Sequence, residues 1–173
     1  MDFNQLLNDK SIKPKEKTET ISKWLSANPE KLNVLIDFAQ TSKDAVKATC
    51  IEAIEYVTNT QPDIASSACL KFVSKTLTEK APRVKWESAR VIGNIAKLYP
   101  NQLDEAIKNL LVNSEHDGTV VRWSTAYALG QIIKLKTKHN KDLIPAIESI
   151  CQREEKNSIK KIYFDALKKL KVV

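Results

Sequence analysis

DAVKATCIEAIEYV (residues 44–57), PRVKWESARVIGNI (82–95), TVVRWSTAYALGQI (119–132) and NSIKKIYFDALKKL (157–170) are four imperfect copies of one segment. The basic residue near the start of each copy, Lys47, Lys85, Arg122 and Lys160, fixes the register, with gaps of 38, 37 and 38 residues. A fixed period of this size is the mark of a stack of helix pairs, in which each unit buries its apolar side against the next. Take the first Val or Ile of each copy as position zero: Val46, Val84, Val121 and Ile159. Position +5 is then Ile51, Ala89, Ala126 and Phe164. Position +8 is Ile54, Ile92, Leu129 and Leu167, and position +11 is Val57, Ile95, Ile132 and Leu170. At 100° per residue these columns fall in one arc, so each segment reads as an amphipathic helix with one buried side.

A second helix precedes each copy. Its apolar columns are Leu32, Ala65, Leu103 and Leu143, then Leu35, Ala68, Ala106 and Ala146, then Ile36, Cys69, Ile107 and Ile147. Pro29, Pro62 and Pro100 stand just before three of these helices, where a missing N–H costs little. Pro145 is expected within the first turn of the fourth. The segment from Lys15 to Ser26, with Ile21, Trp24 and Leu25, reads as an N-terminal cap helix, with a short turn of helix at Phe3–Leu7 packed on it. The reading is therefore all-α: one domain, 1–173, of about nine helices. Cap helices occupy 1–28, three helix-pair repeats and the start of a fourth occupy 29–155, and a lysine-rich C-terminal helix occupies 156–173.

The chain is 42% hydrophobic and 28% charged, with three glycines, a composition that favours helices over a turn-rich β fold. Its net charge is +7, which favours an anionic partner such as an acidic protein or nucleic acid. Cys50, Cys69 and Cys151 fall at or beside apolar helical positions and read as small buried hydrophobes. The N-terminus lacks the basic and apolar regions of a signal peptide. No stretch approaches 18 apolar residues, so no membrane span is expected and the expected setting is cytoplasmic.

The segments APRVKWESARVIGNI (81–95) and DGTVVRWSTAYALGQI (117–132) resemble the second helix of the HEAT-repeat family, with its Val-Arg/Lys start and its Ala-rich, Leu-Gly middle. The resemblance extends over roughly 29–173 and is strongest in those two repeats. It implies a right-handed superhelix of antiparallel helix pairs with the second helices lining the concave side. It carries no catalytic residues to this chain. It also implies that the basic column pairs with acids or carbonyls of neighbouring loops, with a phosphate-binding ladder as the alternative.

Opposite the buried arc, positions +2, +6, +9 and +13 form an outward stripe. It consists of Trp86, Arg90, Gly93 and Lys97 in one repeat and Trp123, Tyr127, Gly130 and Lys134 in the next. Large apolar side chains away from a core mark binding surfaces, and the glycines would leave a notch beside each tryptophan. Trp86, Trp123 and Tyr127 are thus expected to anchor a protein segment, with Arg90, Lys97 and Lys134 selecting an acidic one. Close helix packing at the glycines is the structural alternative.

Nucleic acid is the rival partner. Basic clusters at 134–141 and at Lys10, Lys13, Lys15 and Lys17 would suit DNA or RNA. Alkylpurine DNA glycosylases built from HEAT-like repeats use a basic groove with tryptophans and a carboxylate. This chain is similar in charge and tryptophans, but Arg90 and Tyr127 stand four residues after the tryptophans and supply no acid. A regulatory subunit that holds another enzyme is a third option. The sequence shows no glycine-rich phosphate loop, nucleophile elbow or metal-binding histidine motif, and His116 and His139 are placed in loops. No enzyme activity, cofactor, metal or small-molecule substrate is therefore expected.

Overall fold

A computed structural model describes residues 1–171; Val172 and Val173, the end of the expected C-terminal helix, lie outside the described residues. Ten α-helices run in chain order among them: α1 (Phe3–Asn8), α2 (Pro14–Ala27), α3 (Leu32–Thr41), α4 (Asp44–Thr60), α5 (Ser67–Thr76), α6 (Pro82–Ile95), α7 (Asp104–Asn113), α8 (Thr119–Ile133), α9 (Asn140–Arg153) and α10 (Asn157–Lys171). The count is ten rather than nine because Phe3–Asn8 forms a helix of its own. There Asp2 accepts the N–H of Gln5 as N-cap, and the Phe3 ring meets the edge of Trp24 with centroids 5.2 Å apart.

The four repeated segments are α4, α6, α8 and α10. They pack side by side in chain order, with α2 against α4, and touch along their lengths. The preceding helices α3, α5, α7 and α9 form a second layer whose members meet far less. Two layers of unequal spacing make a curved stack, and the closely spaced row of second helices is its inner side. The core lies between the layers. Ile51, Ile54, Ile92, Ile95, Leu129 and Ile132 are fully buried, each such side chain contributing about 2 kcal/mol.

Four expectations change. First, α8 is not amphipathic. Val121, Ser124, Thr125, Ala126, Ala128, Leu129, Gly130, Ile132 and Ile133 are all buried, because α6 covers one flank of the helix and α10 the other. Second, the column of α10 slips. Its buried residues are Ile159, Tyr163 and Ala166, and Phe164 is exposed. No further helix among the described residues covers the +5 position there. Third, Ala68 is exposed. A 3-10 turn at Pro62–Ile64 delays α5, whose N-cap Ser66 accepts the N–H of Cys69. The helix then buries Cys69, Leu70, Phe72 and Val73. Pro145 also moves. Because α9 begins at Asn140, the proline is the sixth residue, past the first turn.

Three members of the basic column, Lys47, Lys85 and Arg122, tether one turn to another. Lys47 Nζ meets Glu79 at 2.8 Å. Lys85 Nζ donates to the Leu77 carbonyl and to Asn113 Oδ1. Arg122 Nε donates to Glu154 Oε2 at 2.8 Å, and Nη1 donates to the carbonyls of His116 and Asp117. Glu154 is 3% exposed. Burial pushes its carboxyl up, but the Arg122 hydrogen bond and charge and two backbone N–H groups bring it below the ordinary value. Replacing Arg122 with Ala strands this carboxylate and frees two turn carbonyls. The expected loss is about 3 kcal/mol or more, measured by urea denaturation at neutral pH. A loss under 1 kcal/mol, the range of an exposed pair, would contradict the tether.

Candidate second-helix surface

The six residues expected to form one site fall into two neighbourhoods on the inner row. Trp123 is 41% exposed. Its indole lies parallel to the Tyr127 ring one turn on, with centroids 6.3 Å apart and planes within 5°. Tyr127 is half-buried and fixed. Its hydroxyl donates to Asn94 Oδ1 at 2.8 Å, and Asn94 Nδ2 in turn donates to the Glu55 carbonyl and to Thr58 Oγ1. The ring occupies the space that a side chain on Gly93 would need, since a Cβ there would stand 2.4 Å from Tyr127 Cε1. The Gly93 notch is thus filled by the next repeat. Gly130 is likewise closed by Ala166 and Ile162 of α10. Close packing is what the glycines serve, and neither leaves an open notch beside a tryptophan.

Tyr127, Lys97 and Lys134 line a groove of about 390 Å³ with Asn94 and Gln131, across the C-terminal ends of α4, α6 and α8. Lys97 is exposed and Lys134 half-buried. Burial, then the neighbouring Lys169 ammonium, lowers the pKa of Lys134, with Asp165 opposing. The groove therefore carries two ammonium groups, with the Asp165 carboxylate acting on that of Lys134.

Trp86 and Arg90 sit nearer the other end of α6 and belong to a different network. Trp86 is half-buried, and its Nε1–H donates to Glu87 Oε1 at 2.8 Å. Arg90 is held between Glu55 at 2.9 Å and Glu87 at 3.5 Å. It does not reach outward as a free cation. Beside it Arg83 pairs with Glu52 at 2.7 Å, and Thr18 donates to the same Glu52 oxygen. The stripes themselves supply no acid, but acids stand near Trp86 in space. Glu87 follows Trp86 in sequence, and Glu55 reaches Arg90 from the preceding repeat. Glu52 and Glu55 sit at the stripe positions of α4, but only the packing of α4 on α6 reveals their pairing with the arginines.

Glu55 and Glu87 are 4% and 3% exposed. Burial raises both carboxyl pKa values, against the lowering by Arg90 and, at Glu87, by the Trp86 N–H. The basic clusters are partly engaged. Lys17 Nζ donates to the Leu7 carbonyl at 2.8 Å, while Lys136 and Lys138 are exposed. Cys50, Cys69 and Cys151 are free and buried, and burial pushes the Cys50 and Cys69 thiols up to about 12. Among the described residues no helix is long and apolar enough to cross a membrane.

Two outcomes test this geometry. Gly93→Ala should destabilise wild type by about 1–3 kcal/mol through overpacking. In a Tyr127→Ala background the same change should stabilise by up to about 1 kcal/mol, because only the helix preference remains. Equal effects in both backgrounds, by chemical denaturation, would sever the pairing of Gly93 with Tyr127. The second outcome concerns pH. Folded-state pKa values of Glu55 and Glu87 lie above their unfolded values. Their contribution to stability is therefore full below the unfolded pKa of about 4.3 and declines as pH rises through the folded values. Wild type should lose stability relative to Glu55→Gln/Glu87→Gln as pH rises through the window just above 4.3, measured by urea titrations at stepped pH. A constant difference would contradict the raised values.

Residues 82–132 match the model of the HEAT-like repeat family. No curated protein matches the sequence. Solved structures resemble the fold at low identity. A designed armadillo repeat protein in complex with the peptide (KR)4 is 21% identical at a TM-score of 0.72, covering 96% of this chain and 80% of its own. An engineered protein is 18% identical at a TM-score of 0.73, covering 98% and 78%. Computationally designed armadillo repeat proteins for modular peptide recognition give 18% identity and a TM-score of 0.67, covering 96% and 80%. The centre of the chain is thus HEAT-like repeat, and the described fold is an α-solenoid of the repeat-protein kind.

Proposed function

We propose that the protein is a non-enzymatic scaffold that binds an extended segment of another protein across the inner face of α6 and α8. The observation that carries this reading is the Trp123–Tyr127 ledge. It pairs an exposed indole with a ring pinned by Asn94 and by the close approach at Gly93. A large side chain held in one orientation loses little entropy on binding, which is how aromatic hot spots gain their energy. Lys97 and Lys134, in the adjoining groove, favour an acidic residue on the segment. The peptide-binding designs of like fold support the mode of binding. The charge assignment differs from that of (KR)4 and rests on these lysines alone. Trp86, bonded to Glu87, stands apart from the ledge, and Arg90 acts through its carboxylate partners rather than on the ligand.

DNA or RNA is less well supported. Phosphates approaching Trp86 would meet Glu52, with Arg83 and Arg90 already paired. Three buried free thiols fit a reducing compartment such as the cytoplasm.

The test is an array of extended peptides in which one aromatic is flanked by acidic, neutral or basic residues, with hits measured by fluorescence anisotropy. Acidic-aromatic peptides should bind best. Trp123→Ala should weaken them at least about tenfold, and Lys97→Glu/Lys134→Glu should weaken them and flatten the salt dependence. Binding unaffected by Trp123→Ala would remove the ledge from the site. A preference for single-stranded DNA that is lost in Trp123→Ala would favour the nucleic-acid reading.

A further inference from the structure

Lys97 and Lys134 differ from the other cations of the inner face. Arg83 is paired with Glu52, and Arg90 with Glu55 and Glu87. Among the described residues, the cavity of about 390 Å³ that Lys97 and Lys134 share has no acid in its wall. Lys97 lies in the 3-10 turn that follows α6, and Lys134 is the C-cap of α8. The partial negative charge of those helix ends answers only part of two full charges. Asp165 and Lys169 of α10 act on Lys134 with opposite sign, Lys169 the more strongly, so α10 brings no net anion. Lys134 is half-buried, and its ammonium has lost part of its hydration.

The rest of the wall narrows the choice of anion. Asn94 is spent, its Nδ2 donating to the Glu55 carbonyl and to Thr58. Asn59 and Gln131 add side-chain amides, donors that carry no charge. A carboxylate brings one charge and two oxygens, and leaves one ammonium unmatched. A phosphodiester of a nucleic-acid backbone also brings a single charge. A phosphomonoester brings between about 1.5 and 2 charges and three terminal oxygens, and lysine meets phosphate as a point charge. Tyr127 is both a wall of this cavity and one ring of the ledge, so a group bound here lies beside the residue stacked on Trp123. Given segment binding at the ledge, on which this rests, we propose that the groove holds a phosphorylated side chain of the bound segment, and that phosphorylation of the partner switches its recognition.

The test uses extended peptides with one aromatic residue and, within a few positions on either side, Ser, Asp or phosphoserine. Affinities are measured by fluorescence anisotropy for wild type, Trp123→Ala and Lys97→Gln/Lys134→Gln. At neutral pH the best phosphoserine peptide should bind at least about tenfold more tightly than its Asp twin. The lysine variant should lose that preference and keep the Trp123-dependent binding of the Ser peptide. The second phosphate proton leaves near about pH 6. Wild type should therefore bind the phosphopeptide several-fold more tightly at neutral pH than at about pH 5, with the Asp twin unchanged. Equal affinity for Asp and phosphoserine, with Trp123→Ala weakening both, would overturn the phosphate subsite and leave the ledge standing. A phosphoserine preference that survives in the lysine variant would also overturn it. So would tighter binding of single-stranded DNA than of the phosphopeptide, lost in the lysine variant. Absence of binding by every peptide would remove the ledge and the subsite together.

Discussion

The structure depends on how closely the second helices approach one another. Tyr127 lies where a Gly93 side chain would be, and Ala166 closes on Gly130. A Cβ at Gly93 would displace the Tyr127 ring, and one at Gly130 would press on Ala166. Each glycine costs roughly 1 kcal/mol of helix preference against alanine, offset by the contact it permits. These contacts hold the α6–α8 and α8–α10 seams close, α4 packs as closely on α6 without a glycine, and the first helices stand further apart. The curvature of the stack follows from that inequality.

Close approach also explains the polar chemistry of the inner face. Bringing α4, α6 and α8 together buries Glu55 and Glu87, and a buried carboxylate needs partners. Arg90 and the Trp86 N–H supply them. Asn94 joins three helices by donating to Thr58 and the Glu55 carbonyl while accepting from Tyr127. Residues that look like outward ligand contacts on one helix are therefore spent on joining repeats. What remains free is Trp123, held against a fixed ring, and the lysines at the far ends of α6 and α8.

The same logic separates the middle of the stack from its end. An interior second helix has two covered flanks, and in α8 this leaves little amphipathic character. A terminal one has a single covered flank. α10 keeps a polar, lysine-rich side, yet it also carries Phe164 where the interior helices carry residues buried under a neighbour. The end face thus has the composition of a cap and, at one place, the apolar character of a seam.

The pairing of the basic column is implied by the HEAT-like resemblance, while the sequence by itself determined the period and the helix pairs. These depend on local spacing and on side-chain types that recur every 37 or 38 residues. It also brought Trp123, Tyr127, Lys97 and Lys134 to one side of their helices, because 100° per residue is a property of the helix alone. Only the tertiary structure decided that the glycines are contact points, that Arg90 is committed to Glu55 and Glu87, and that Phe164 is exposed. Each of those outcomes depends on which helix lies opposite and how near. A carboxylate from the preceding repeat, 32 to 35 residues away from Glu87 and Arg90 in the chain, has no local signature. The periodic pattern that predicts Phe164 as buried presumes a neighbour, and the packing supplies none among the described residues.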